Sequence, residues 1–334
     1  MKKRMLAIAV VTLLLLCSCT NTTPQTPVVS GKKMGDLILV GFSQVGAESE
    51  WRVAHTESMK AALSEENGYE LIYDDARNEQ ENQLRAIRTF IQQGVDYIVV
   101  APRLETGWDS ILQEAKDAGI PVIVIDRDIK VEDRSLYTTY IGSDFYKEGE
   151  TAVAWLEDLL EKQGRTEETI RIVHIQGTAG SSAQLGRTSA LERGVSRNNN
   201  WEKVAQEPCD FTRAKAYEVM SKILRRTKDI DVVYCENDGE ALGAIDAMEE
   251  VGLKCNAEDG VIVISFDATR LGLEYCLAGK IALNVECNPL QGPYVDAVIK
   301  RRQRGEPIEQ VKYINETQFD CFTITQEMID GRGY

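Results

Sequence analysis

Apolar and polar positions alternate in two different ways along the chain from Asp36 onward. Short runs rich in Val and Ile, such as LILVGFS and DYIVVAP, have the length and composition of buried strands. Longer segments between them repeat apolar residues at helical spacing; QENQLRAIRTFIQQG, for example, ends in Gly94, a residue typical of helix C-termini. The pattern predicts a strand near 203–206 and helices at about 49–66, 107–118, 182–197, 212–227, 239–251, 269–278 and 289–303.

The alternation of strands and helices predicts the fold class. Nearly continuous apolar strands are typical of parallel sheets that are covered by helices on both faces. The chain has 334 residues, enough for two such units, so we expect an α/β protein with two doubly wound parallel-sheet lobes. In open sheets of this kind, ligands bind beyond the carboxyl ends of the strands.

Polar and aromatic side chains follow the predicted strands. They are Glu48, Ser49, Trp51 and Arg52 after the first run, Asp126 and Arg127 after IPVIVI, Thr178 and Arg187 after IRIVHIQG, and Phe211, Asn237, Asp267 and Glu286 after the later runs. Carboxylates accept hydrogen bonds, guanidinium groups donate them in a fixed fork, and amides do both. This mixture suits a ligand with many hydroxyl groups, and Trp51 and Phe211 offer flat apolar faces to a sugar ring.

Each of these residues also has a purely structural interpretation. Glu48, Asp238 and Asp267 lie where acidic residues stabilise a helix N-terminus. Asp126 and Arg127 could form a surface ion pair, and Trp51 could belong to the core of its helix. The fact that several predicted strands all end in such groups favours a binding site over these structural interpretations.

The chain lacks the motifs of three common enzyme sites. These are the GxSxG motif of hydrolases, the GxxxxGK[ST] motif of phosphate loops and the GxGxxG motif of dinucleotide sites.

The first residues, MKKRMLAIAVVTLLLLCSC, have the pattern of an export signal. Three basic residues precede an apolar run that is too short to span a membrane comfortably. LCSC resembles a bacterial lipobox, so we expect a lipoprotein signal peptide at 1–18, lipid attachment at Cys19, and a polar tether over 19–35. A soluble secreted protein, cleaved nearby, is the alternative. Either way the location is extracytoplasmic, and lipidation would hold the protein at the membrane.

Composition narrows the possible partners. The net charge of −15 gives the chain no electrostatic reason to bind nucleic acid. Six cysteines follow Cys19, and they allow fifteen complete disulfide pairings or, as we expect for most of them, a role as small buried residues. Without a CxxC motif, and with only two distant histidines, we expect no metal site and no cofactor.

From Leu37 to Tyr334 the chain resembles a known family. The motifs VGFSQVGAESEWR, ETGWDSILQEAKDAGIPVIVIDR, QGTAGSSAQLGR and DFTRAK resemble those of type I periplasmic sugar-binding proteins of the ribose/galactose-binding family, and closely its galactofuranose-binding branch. Arg103 departs from that branch, which usually has an aliphatic residue there, and the ECN sequence at 286–288 also varies.

The resemblance implies two lobes joined by a three-strand hinge, with a sugar between them. The first lobe would comprise 36–142 and 286–315, and the second 143–285 and 316–334. Carried over by motif, the first-lobe contacts would be Glu48, Ser49, Trp51, Arg52, Asp126 and Arg127. The contacts of the second lobe and hinge would be Thr178, Arg187, Phe211, Asn237, Asp267 and Glu286.

The expected function is capture of a monosaccharide, galactofuranose or a related sugar, by a monomeric binding protein that delivers it to a membrane ABC permease. A sugar sensor that signals to a membrane kinase or chemoreceptor is an alternative with the same fold. An exported glycosidase is a third hypothesis; it would need two carboxylates set across one bond, as Asp126 and Asp267 could be imagined to be. We expect no enzymatic activity. The export signal excludes a repressor core.

Overall fold

The structure, a computed structural model, describes residues 37–334, so the predicted signal peptide, Cys19 and the tether lie outside the described residues. Two six-stranded sheets organise this part of the chain. The first contains β1 (Ile38–Gln44), β2 (Tyr69–Asp75), β3 (Tyr97–Val100), β4 (Val122–Asp126), β5 (Thr139–Gly142) and β11 (Val311–Tyr313). The second contains β6 (Ile170–Gln176), β7 (Trp201–Pro208), β8 (Val232–Cys235), β9 (Ile262–Asp267), β10 (Leu283–Glu286) and β12 (Gln318–Asp320).

Helices connect the strands and cover the sheets. They are α1 (Glu50–Ala62), α2 (Gln80–Gln93), α3 (Asp109–Asp117), α4 (Phe145–Lys162), α5 (Ser182–Arg197), α6 (Arg213–Leu224), α7 (Asp238–Glu250), α8 (Arg270–Leu277), α9 (Gly292–Gln303) and α10 (Gln326–Asp330). Within residues 37–334, no helix combines the length and apolarity that crossing a bilayer requires.

Both sheets have the doubly wound strand order. The first runs β11-β5-β4-β3-β1-β2 with all neighbours parallel. The second runs β12-β10-β9-β8-β6-β7, and only the β12 edge is antiparallel. Each sheet carries one apolar core on either face; Phe90 and Trp108 pack on one face of the first sheet, and Met59 and Ile299 on the other. The predicted fold class is confirmed.

Four elements, β5, β11, β12 and α10, were absent from the sequence prediction because the pattern that marks each of them is too short. β5, β11 and β12 have only three or four residues each, and neighbours distant in sequence complete them. The predicted helix at 49–66 ends at Ala62 and is followed by a separate short 3-10 turn. All cysteines in the described part are unbridged, and all but Cys321 are buried, in agreement with a role in packing.

The chain passes between the two sheets three times. It leaves the first sheet after Gly142, returns after Glu286 to form α9, which packs on α1, and leaves again between β11 and β12. Backbone hydrogen bonds join these crossings: the Ile314 N–H donates to the Gly142 carbonyl at 3.0 Å, and the Glu286 N–H donates to the Thr317 carbonyl at 2.9 Å.

Candidate functional site

A chamber of about 300 Å³ lies between the carboxyl ends of the strands of the two sheets. Both lobes contribute to its wall. The lining residues are Glu48, Ser49, Trp51, Arg52, Asp126, Arg127, Phe145, Ala183, Arg187, Phe211, Asn237, Asp267 and Cys287. The structure therefore brings together all of the residues predicted from strand ends except Thr178 and Glu286.

The first-lobe wall is a network of two carboxylates and two guanidinium groups. Arg52 donates from Nε to Glu48 Oε1 at 3.0 Å and from Nη1 to Asp126 Oδ2 at 2.6 Å. Arg127 lies 3.6 Å from Glu48 and 3.8 Å from Asp126. Ser49 caps α1 by accepting from the Arg52 N–H, so the helix start itself fixes the position of Arg52.

Burial and charge compete in this network. Burial alone would raise the pKa of Glu48 and of Asp126, but the guanidinium groups of Arg52 and Arg127 outweigh it and hold both pKa values below their usual range. For Arg127, burial and the like charge of Arg52 lower the pKa to about 10. All four groups are thus ionised at neutral pH, and the wall presents alternating donors and acceptors.

Trp51 forms the apolar part of the first-lobe wall. Its ring stacks on His55 with centroids 5.1 Å apart, and its Nε1 donates to the Cys287 carbonyl at 2.6 Å. Burial, assisted by Arg52, lowers the pKa of His55 to about 4, so the supporting imidazole is neutral. The Trp51 ring is therefore fixed on one face and at its polar edge.

On the second lobe, Arg187 is the central charged group. Its Nε donates to Glu148 Oε2 at 2.7 Å, and its Nη2 lies 3.8 Å from Asp267 Oδ1. Burial raises the pKa of Asp267 well above its usual range, and Arg187 offsets this only in part. Asn237 caps α7 by accepting from the Glu240 N–H, while its amide donates to the Phe211 carbonyl at 3.2 Å.

Strained backbone is concentrated at the chamber. Asp126, Phe211 and Asp267 have φ angles of 63°, 61° and 104°, which non-glycine residues rarely adopt. At Asp126, Gln291 Oε1 accepts from the main-chain N–H at 2.8 Å, and the carbonyl accepts from the Tyr140 hydroxyl. Such conformations cost about 1–3 kcal/mol each and persist where surrounding contacts impose them, commonly at binding sites.

Two buried polar atoms of the wall have no hydrogen-bond partner: Glu48 Oε2, an acceptor, and Arg187 Nη2, a donor. They belong to opposite lobes. A buried unpaired group costs about 1–3 kcal/mol, so a polar ligand in the chamber would gain from satisfying them.

The lobes also touch directly at the rim of the chamber. The Glu105 N–H donates to the Gly180 carbonyl at 2.9 Å, and the Asp128 N–H donates to Ser182 Oγ at 2.8 Å. The Arg127 guanidinium lies 5.1 Å from the centre of the Phe211 ring, in cation–π geometry.

Thr178 and Glu286 lie outside the chamber lining. The Thr178 carbonyl accepts from the Ser181 N–H in the turn before α5. The Glu286 carboxylate accepts from the Thr317 N–H, from Arg332 and from the Tyr334 hydroxyl, each at 3.0 Å. The neighbouring Cys287 lines the chamber instead, because successive residues of an extended chain face opposite sides.

Sequence reasoning missed Phe145, Ala183 and Cys287 in the lining. Together with Trp51 and Phe211 they form a small apolar cluster between the sheets. Nothing in their sequence surroundings distinguishes them from core residues.

Arg103 departs from the pattern of the galactofuranose-binding branch. Its Nε donates to Asn78 Oδ1 at 3.1 Å, and its carbonyl accepts from Arg127.

A family model described as a periplasmic binding protein domain matches residues 40–291. The match covers more than half of the chain. The chain belongs to the periplasmic binding protein family. Membership implies an extracytoplasmic location.

Relatives within the periplasmic binding protein family are similar over most of their length. The galactofuranose-binding protein YtfQ of Escherichia coli is 36% identical over 87% of this chain and 90% of its own. A Mycobacterium smegmatis protein solved in complex with β-D-fucofuranose is 42% identical, with a TM-score of 0.81, over 85% of this chain and 92% of its own. The arabinose ABC transporter binding component from Shewanella sp. ANA-3, bound to L-arabinofuranose, is 37% identical, with a TM-score of 0.79 and the same coverage.

Proposed function

We propose that this protein is the extracytoplasmic binding component of an ABC sugar importer, and that it captures a furanose monosaccharide such as galactofuranose between two lobes that close on it. The observation that carries the proposal is the chamber: buried carboxylates and guanidinium groups from both lobes surround a small space beside Trp51 and Phe211. Charge-assisted hydrogen bonds from such groups are about twice as strong as neutral ones, which suits a compact polyol.

The relatives support a furanose and a transport role. Their names describe binding of galactofuranose, fucofuranose or arabinofuranose, and one is a component of an ABC transporter. These are binding proteins, which favours a non-enzymatic role for this chain as well. On this proposal, Glu48, Ser49, Trp51, Arg52, Asp126, Arg127, Arg187, Phe211, Asn237 and Asp267 contact the sugar, and Cys287 replaces Glu286 at the hinge.

We infer lobes of 36–142 with 286–315, and 143–285 with 316–334. The composition of the two sheets and the three crossings support these boundaries. The rim hydrogen bonds at Gly180 and Ser182 are contacts that a closed form would make and an open form would lose.

Isothermal titration calorimetry tests the proposal. Purified protein lacking residues 1–18 is titrated with D-galactose, which includes galactofuranose at equilibrium, and with L-arabinose and ribose; binding is checked by the rise in Tm that a ligand specific for the folded state produces. We expect at least one furanose-forming sugar to bind with micromolar or tighter affinity. If none of the panel binds or raises Tm, the sugar proposal is wrong.

We also propose a lipid anchor at Cys19 and a monomeric state. The LCSC sequence and the polar tether support the anchor. Wild-type protein expressed with an alkyne-labelled fatty acid should incorporate the label and pellet with membranes, and Cys19→Ser should do neither. Labelling of the Cys19→Ser variant to the same extent would contradict lipid attachment at Cys19. The monomeric state is tested separately, by measuring the molecular mass in solution with size-exclusion chromatography and light scattering.

A further inference from the structure

The three crossings between the lobes meet in a cluster of polar groups directly behind the chamber. We call it the hinge cluster: Ser143 from the first crossing, Cys287 from the second, Glu316 from the third, and Glu148 from the first turn of α4. The Ser143 hydroxyl donates to Glu316 Oε1 at 2.6 Å and lies 3.3 Å from Cys287 Sγ. The cluster therefore ties together the segments about which the lobes would move.

Two carboxyl groups of the hinge cluster lie close together. A carboxylate oxygen of Glu148, one of Glu316 and the Cys287 sulfur lie within 4.8 Å of one another. Glu148 is only 4% exposed, and its Oε1 has no hydrogen-bond partner. Glu316 is half-buried, and two carboxylates at this separation and depth repel each other if both are ionised.

The positive charge next to the two carboxyl groups can balance only one of them in its ionised form. Arg187 forms its ion pair with Glu148, at 2.7 Å, and it also lies 3.8 Å from Asp267. Glu316 Oε1 accepts from Ser143 and from the Asn288 N–H at 2.7 Å, and among residues 37–334 no cationic side chain forms a salt bridge to it.

We propose that Glu148 and Glu316 hold one shared proton in the hinge, and that loss of this proton favours the open form and weakens sugar binding. The proposal rests on the sugar-binding function proposed above. It makes the two glutamates positioning residues that do not line the chamber themselves: Glu148 holds Arg187 directly, and Glu316 holds Ser143, which contacts Cys287. Cys287 in turn holds Trp51 through its carbonyl.

The directions of the pKa shifts agree with this arrangement. Burial, reinforced by the charge of Glu148, raises the pKa of Glu316 to about 9. Burial likewise raises the pKa of Glu148, although Arg187 opposes it. Each carboxyl group thus favours the neutral form of the other, so the two titrate as a pair.

Other ionisable groups also surround the hinge cluster. Burial raises the pKa of the Cys287 thiol well above its usual range, so the thiol stays neutral here, and burial also raises the pKa of Asp267, which lies on the far side of Arg187. Burial also raises the pKa of Tyr313. On the outer side, a groove of about 1140 Å³ reaches Glu148 and Glu316 and is lined also by Asp144, Lys147 and Tyr313. Protons can therefore exchange with solvent without crossing the chamber.

The sign of the pH effect follows from these shifts. The folded state holds a proton that the unfolded chain releases near the ordinary glutamate pKa of about 4.5. The stabilising contribution is complete below pH 4.5 and is lost as the pH rises through about 9. Opening would hydrate the pair and lower its pKa, so binding takes up a proton and affinity falls with rising pH.

Calorimetric titration with D-galactose, which includes its furanose form at equilibrium, from pH 5 to pH 9 and with EDTA present, tests the proposal; this range stays below the pKa of Arg127, which is about 10. We expect the Kd of the wild type to rise as the pH increases toward 9, by at most about tenfold per pH unit, the limit for one linked proton. Titration at pH 8.5 in two buffers of different ionisation enthalpy should show proton uptake on binding. Glu316→Gln, a neutral isostere, should keep its affinity and lose both effects, while Glu150→Gln, at a half-buried position on the same helix as Glu148, should behave like the wild type.

A measurement of Tm against pH in the absence of sugar distinguishes failure of the shared-proton proposal from failure of the sugar-binding proposal. If no sugar binds at any pH, the sugar-binding function fails, yet a flatter Tm profile in Glu316→Gln would still reveal the hinge proton. If sugar binds but wild type and Glu316→Gln show the same pH dependence, the shared proton is refuted. Should Glu316→Gln not fold, the two-buffer titration of the wild type still decides the matter, because it needs no variant and the absence of proton uptake on binding would refute the shared proton.

Discussion

Arg127 shows how one residue can serve both lobes. Its guanidinium lies near Glu48 and Asp126 on its own lobe and over the ring of Phe211 on the other. It is ionised at neutral pH and nearly fully buried, so its charge acts in an environment with little solvent screening.

Removing this guanidinium should weaken sugar binding with little effect on folding. For Arg127→Ala we expect about 10- to 100-fold weaker binding by calorimetry, because hydrogen bonds to charged groups contribute about 1.5–3 kcal/mol each. Arg134→Ala, on the same lobe but exposed, is the control and should bind normally. Unchanged affinity in Arg127→Ala would exclude this residue from the sugar contacts.

Gly177 is required for a packing reason. A Cβ at this position would lie 1.9 Å from Cζ of Phe211, so no side chain fits unless the ring moves. We expect Gly177→Ala to displace Phe211, lowering both Tm and sugar affinity.

The matched control for this glycine is Gly331→Ala, where the nearest atom to the new Cβ is 3.6 Å away. That substitution should leave Tm and affinity unchanged. If Gly177→Ala binds sugar as tightly as the wild type, Phe211 does not contribute to binding in this position.

At the scale of elements, the first residues of two helices also form part of the chamber wall. Ser49 and Asn237 cap α1 and α7 and also line the chamber. One side chain can therefore cap a helix and face the chamber at the same time.

The two roles of Ser49 can be separated by two substitutions. Ser49→Ala should lower the free energy of unfolding by about 1 kcal/mol through loss of the cap, as measured by urea denaturation. Ser49→Asp should keep the cap but weaken sugar binding, because it adds a negative charge beside Glu48. Thr325→Ala removes a cap from α10, away from the chamber, and should leave affinity unchanged. Equal sugar affinity in Ser49→Asp and wild type would show that Ser49 acts only as a cap.

For the whole molecule, the proposed closure of the lobes would depend on direct contacts between them such as those at the rim of the chamber. Ser182 Oγ accepts from the Asp128 N–H across the rim. A net contribution of about 1 kcal/mol from this bond corresponds to about fivefold in the closed population.

Ser182→Ala should therefore weaken sugar binding by about fivefold. In small-angle X-ray scattering of protein only partly saturated with sugar, the variant should have a larger radius of gyration than the wild type. Ser189→Ala, exposed on the same helix, should change neither quantity. A wild-type affinity in Ser182→Ala would show that this rim bond does not hold the closed form.

The sequence by itself determined the order of strands and helices and most of the chamber wall. Both rest on local patterns: period and composition identify strands and helices, and parallel strands place their carboxyl ends at one edge of the sheet. That is why Glu48, Asp126 and Asp267 could be grouped in advance, although the strands bearing them are far apart in sequence.

Only the tertiary structure decided the hinge and the details of the wall. β5, β11 and β12 are too short to show a period, and pairing with distant strands defines them. The choice of Cys287 over Glu286 depends on which side of the chain faces the chamber, and a one-residue difference in register reverses it. The hinge cluster joins Ser143 to Glu316 across 173 positions, a contact that no local pattern records because only the folded chain brings the two residues together.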